Sequence, residues 1–240
     1  MKNPEETNLS RETDLSLPKE IALPGFDLKK WIGAQDSMLG LSVKIKDKEI
    51  LEIGVASDSE SATLPWPSEP TDREKLIDIL LSGNKKWIVH DAKPILKNLF
   101  SEGIPLRIAG DTAILEWIKN PAVKIMPLVS IAEEVLAYSM PSQNNDLSLL
   151  DEEEDSVSSG LRAFFTIQLW NQGISTLDES SKSVLEKIEM PLIRVLAEME
   201  TAGIACSADQ LRTLANHLAQ EIARHQSACF EAIGKEVNLG

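Results

Sequence analysis

Four aspartates stand where an acid could hold a hard cation or move a proton. They are Asp27 in "GFDLKKW", Asp36 in "GAQDSML", Asp91 in "KKWIVHDAKPILKNL" and Asp111 in "AGDTAILEW". Metal-assisted hydrolysis needs such oxygens to converge on one or two divalent ions. Asp91 is the sharpest case, because it follows the short apolar run Trp87-Ile88-Val89 and precedes a helical pattern. In an α/β sheet the carboxyl ends of strands are where ligands gather. The competing reading is local: an Asp between strand and helix caps the helix or bonds a loop amide, and a lone carboxylate makes a poor metal site. That reading is preferred for Asp91. Asp111, directly before "TAILEWIKN", is read as an N-cap.

The other candidates are weaker. His90 has no partnered nucleophile or metal set in its local sequence. His217 and His225 lie eight apart in one helical pattern and read as packing or solvent-facing residues. The acidic run Asp151 to Asp155 reads as a solvated charge run. The sequence has no glycine-rich phosphate loop and no Cys/His zinc spacing.

The elements that must position these residues follow from periodicity and turn chemistry. "MLGLSVKI" and "EILEIGVA" are predicted strands joined by a "KDK" hairpin turn. "LPWPSEP" reads as a proline-broken loop, and "TDREKLIDILLSG" as a helix capped by Thr71 and ended by Gly83. A strand at Trp87–Val89 leads to a helix from about Pro94 to Glu102, closed by Gly103. "PLRIAG" is a further strand. "SIAEEVLAY" carries Ser130 and Glu133 at capping-box spacing. Residues 139–160 form a long polar loop, and a helix follows from about Val157 to Gln172, stopped by Gly173. Beyond it the chain is wholly helical. Leu185, Ile188, Leu192, Leu196 and Met199 form one stripe, which Pro191 should kink or divide. Ser207, with Gln210, starts a helix striped by Leu211, Leu214, Leu218, Ile222, Cys229 and Ile233, and a long helical hairpin is the simplest reading. The expected fold is α/β: a mixed sheet with flanking helices of the ribonuclease H-like kind, followed by an all-α helical hairpin arm.

Composition narrows the function classes. At 240 residues, one or two domains are expected. The net charge of −14 disfavours a free-standing nucleic-acid binder, since Lys and Arg supply most of the affinity for phosphates. The charge is uneven, with residues 181–240 at −2 and the remainder at −12. No apolar run is long enough to span a bilayer, and the polar, acidic N-terminus does not read as a secretory signal. Cys206 and Cys229 offer no disulfide framework. A cytoplasmic protein with no membrane partner is expected.

The C-terminal third carries the most specific signal. "IEMPLIRVLAEMETAGIACSADQL" and then "AIGKEVNLG" resemble the segment of bacterial family A DNA polymerases that joins the proofreading domain to the thumb. Upstream, "HDAKPILKNLFSEGIPLRIAGDTAILEWI" is similar to that family's His/Gln-Asn-x-Lys segment, its helix and its Asp-Thr helix start. "LSLLDEEE" and "LRAFF" are most similar to actinobacterial members. The resemblance divides the chain into a polar tail or linker over 1–20, an exonuclease-like domain over 21–178, and the beginning of the thumb over 179–240. The family's palm and fingers, with the polymerase carboxylates, are not matched.

The resemblance also supplies a test. The family's 3′–5′ exonuclease holds Mg2+ with four carboxylates, assisted by a tyrosine. Its first motif, Asp-x-Glu on the first strand, maps onto Asp27, with Lys29 in the Glu place. Asp36 offers only Met38 at that second position. The second motif, Asn-x-x-x-Asp, puts Asp91 in the Asn place and Ile95 in that of the metal-binding Asp. The third, Tyr-x-x-x-Asp, falls on Ser158 and Arg162, and the only tyrosine, Tyr138, lies in another helix. No catalytic or metal residue and no cofactor is therefore assigned to this chain.

The resemblance implies a non-catalytic exonuclease-like and thumb-base portion of a polymerase. It would support template–primer binding in replication and repair, with DNA and the remaining polymerase domains as partners, in the cytoplasm at the nucleoid. Two alternatives are an active exonuclease built from displaced acids (Asp27, Asp36, Asp91, Asp111) and a protein-interaction module using loop 139–160.

Overall fold

The computed structural model describes residues 16–22, 26–35, 38–82, 84–122, 127–138 and 157–238. The chain divides into two compact units, Met1–Thr201 and Ala202–Gly240.

The first unit is built on a six-stranded sheet. Its strands are β1 (Lys19–Glu20), β2 (Met38–Lys46), β3 (Glu49–Ala56), β4 (Glu60–Pro65), β5 (Lys86–Val89) and β6 (Ile108–Asp111), in the order β1-β4-β3-β2-β5-β6. β2, β3 and β4 run antiparallel as a meander, while β5 and β6 extend the other side of β2 in parallel. The β2–β3 hairpin turns on Asp47 and Lys48, at φ 52° and 68°. Two successive left-handed residues are what a two-residue turn needs to match the twist of its strands. β4 runs through Leu64 and Pro65, where the prolines predicted a loop. Pro65 ends the strand, the position at which its missing N–H is tolerated. β1 forms from the last two residues of the predicted tail and pairs with Glu60 and Ser61.

Helices cover both faces. They are α1 (Leu28–Ala34), α2 (Pro70–Leu81), α3 (Ala92–Ser101), α4 (Thr112–Lys119), α5 (Leu128–Leu136), α6 (Ser159–Ile174), α7 (Glu179–Val184) and α8 (Met190–Ala202). Strand alternation sorts the core: Trp87 and Val89 pack with α1, α2 and α3, whereas Ile88 packs with residues of α4 and α6. α6 lies so close to the sheet that a Cβ on Gly40 or Gly54 would sit 2.0 Å from the Ala163 carbonyl oxygen or 1.7 Å from that of Ser159. Gly173, predicted to stop α6, lies inside it, because its bare Cα admits Leu115. α2 begins earlier than its predicted Thr71 cap, with Glu69 at the N-cap position and Pro70 at N1.

The segment beginning at 179 starts within this unit. Pro191 has no N–H to give to the carbonyl four residues back. The helix widens into a π turn at Leu185–Glu189 and resumes as α8. Leu185, Ile193 and Ala197 are buried in the unit's core. The second unit holds one long helix, α9 (Ala208–Ile233), ended by Gly234 at φ 76°. α9 has no buried residue.

Candidate functional site

The carboxyl end of β5 is organised by a buried acid. Asp91 stands at the N-cap position of α3 in the left-handed region (φ 54°, ψ 73°), and its side chain makes no cap hydrogen bond. Asp111 does that work from the end of β6. It is 2% exposed, and its carboxylate accepts the backbone N–H of Asp91 at 3.0 Å, of Ala92 at 2.7 Å and of Ala113 at 2.8 Å. It thus serves the first turns of both α3 and α4. Burial pushes its carboxyl up to about 6, against the downward pull of the N–H bonds. The Thr112 hydroxyl donates to the Val89 carbonyl, so its 2.9 Å contact with His90 Nδ1 has the imidazole as donor.

One turn into α3, Ile95 is 5% exposed and joins Leu96, Leu99, Ile193 and Ala197 in the core. Lys93 and Lys97 bracket it on the surface, each 2.9 Å from a separate oxygen of Glu200 on α8. These pairs hold the Glu200 carboxyl below its ordinary range and the Lys93 ammonium above its own. The Arg194 guanidinium lies 5.4 Å over the Phe100 ring. Helix α3 is thus the surface on which α8 sits.

The first motif position requires a correction. Asp27 and Lys29 are not on a strand. Asp27 is the N-cap of α1 and accepts from Lys30 N at 3.0 Å, and Lys29 lies exposed in that helix. In this sheet β2 and β4 each have an antiparallel neighbour on one side and a parallel neighbour on the other, and β2 is the one that lies beside β5. There, Gly40, Ser42 and Lys44 share the face turned toward α6. Gly40 is level with Ile88 of β5, so Ser42 and Lys44 reach the end from which α3 departs. At a spacing of two on that face, Ser42 and Lys44 present a hydroxyl and a cation. Sequence reasoning missed this pair because it sought an acid, and the signal available was the strand itself.

The N-terminus of α6 closes the same face. Ser158 is its N-cap, accepting from Leu161 N at 3.3 Å. The buried Ser159 donates to Glu52 Oε1 at 2.8 Å, and Gly160 N donates to Thr63 Oγ1 at 2.9 Å. Lys44 and Glu52 are cross-strand neighbours. Arg162 is half-buried one turn on. Tyr138 packs against Phe165 with ring centroids 4.6 Å apart and the rings tilted by 54°, its hydroxyl pushed up by burial and by Glu133. Ser42, Lys44, Arg162, Asp91, Ile95 and Ser158 are thus a serine, two cations, an exposed aspartate, a core isoleucine and a capping serine. They do not fit a pair of Mg2+ ions, which require converging oxygens. Among the described residues no group of three or more His, Cys, Asp or Glu could hold a metal.

The predicted caps divide. Ser207 is the N-cap of α9 and accepts from Gln210 N at 3.3 Å. Ser130 is not a cap: α5 starts at Leu128 behind Pro127, and the earlier start buries Leu128 and Val129. His217, His225, Cys206 and Cys229 are exposed in the second unit. Asp36, the acidic run 151–155 and loop residues 139–156 lie outside the described residues.

Comparison with known proteins agrees with this architecture. No family model matches the chain. DNA polymerase I of Mycobacterium tuberculosis (strain H37Rv) is 30% identical over 195 residues, covering 77% of this chain and 22% of that protein. DNA polymerase I of Synechocystis sp. is 37% identical over 177 residues, covering 70% and 18%. The chain therefore spans about a fifth of the length of these curated relatives. A solved structure, the POL domain of Pol1 from M. smegmatis in complex with DNA primer-template and dNTP, superposes with a TM-score of 0.70 at 25% identity. It covers 92% of this chain and 38% of that one. No helix among the described residues is long and apolar enough to cross a membrane. By sequence and fold together, the chain is a relative of DNA polymerase I, in the bacterial family A DNA polymerases.

Proposed function

We propose that the chain is the non-catalytic, exonuclease-like and thumb-base portion of a DNA polymerase I, holding rather than cutting its nucleic acid. The observation that carries this reading is Ile95, buried in the apolar core where the family's second motif places a metal-binding carboxylate. Lys44 and Arg162 add positive charge at the first and third motif positions, which repels a divalent ion. Asp111 cannot be recruited in their place, since both its oxygens accept backbone N–H groups. The related Pol1 structure is bound to primer-template DNA, and the role suited to a nuclease frame without nuclease chemistry is support of that complex. With a net charge of −14 the chain alone should bind DNA weakly.

The test is a 3′-end-labelled single strand and a primer–template incubated with the purified chain and Mg2+ or Mn2+. No metal-dependent shortening is expected. Shortening that co-purifies with the chain and disappears with chelator would overturn the reading. Removing the corresponding portion from a DNA polymerase I that carries it should weaken primer–template binding, and unchanged binding would count equally against the supporting role.

A further inference from the structure

We draw no further inference here: the strongest candidate, the exposed apolar stripe of Leu211, Leu214, Leu218, Ile222 and Ile233 along α9, is an unpartnered helix face, and nothing in the structure shows what covers it.

Discussion

The Asp111 carboxylate accepts the backbone N–H of Asp91 at 3.0 Å, so the acid exposed at the end of β5 is held in place by an acid buried at the end of β6. One is conspicuous in sequence and makes no cap bond. The other gathers the first turns of two helices.

Asp111 should make stability depend on pH in a defined sense. Its folded value of about 6 lies above the ordinary 3.8, so the folded state binds the proton more tightly. Stability from this group is therefore greatest below about 4 and declines as pH rises to about 6, by at most about 3 kcal/mol. Asp111→Asn removes this slope. In urea melts, the stability of the parent minus that of Asp111→Asn should fall across that window and be level above it.

Removing the acceptor altogether should cost more. Asp111→Ala leaves the N–H groups of Asp91, Ala92 and Ala113 without their partner. A loss of about 3 kcal/mol or more is expected, given about 1–3 kcal/mol for each buried unsatisfied donor. Amide hydrogen exchange should quicken at the starts of both α3 and α4, and acceleration at only one would contradict the shared role.

Restoring the missing acid should not restore chemistry. Ile95→Asp places a carboxylate in the core and should lower stability by about 4 kcal/mol. It should give no Mg2+-dependent nuclease activity, because Ser42, Lys44, Ser158 and Arg162 still supply no carboxylate ligand. Calorimetry and the 3′-end assay check the two halves of this prediction.

The close seating of α6 should be intolerant of a methyl group. Gly54→Ala would drive a Cβ to 1.7 Å from the Ser159 carbonyl oxygen, backbone against backbone. A loss of about 3 kcal/mol is expected from overpacking. Gly103→Ala is the control, since nothing lies within 4 Å of a Cβ there and only its φ of 73° opposes the change. Thermal melts should rank Gly54→Ala well below Gly103→Ala.

The bridge between α3 and α8 should be modest and salt-sensitive. Glu200 takes Lys93 and Lys97 at 2.9 Å each at a half-exposed surface. Its carboxyl is held low, so the contribution is present at neutral pH and fades as pH falls through the carboxylate range. Glu200→Gln should cost stability in dilute buffer and nearly nothing at molar salt. An effect indifferent to salt would mean that Ile193 and Ala197 alone hold α8.

Much of this protein is written locally. The β2–β3 hairpin, the helices with three- and four-residue apolar spacing, the cap at Ser207 and the break at Pro191 rest on contacts within a few residues, so one stretch of sequence states them. The likeness to family A polymerases is legible for the same reason, as ordered residues within single helices, and Ile95 cannot ligate a metal in any fold. What only the tertiary structure decided lies in pairings between distant segments. Strand order set Ser42 and Lys44 on one face of β2, and Asp27 caps a helix outside the sheet. Burial of Leu128 and Val129 displaced the start of α5 from Ser130. Pairing of β4 with β3 made a strand of residues that prolines marked as loop. Asp111 acquired its role from Asp91 and Ala92 at the start of α3, 20 and 19 residues away. Side-chain type and period act over one turn of helix or one strand. Burial and register depend on which surface the rest of the chain brings alongside, and a single segment does not contain that information.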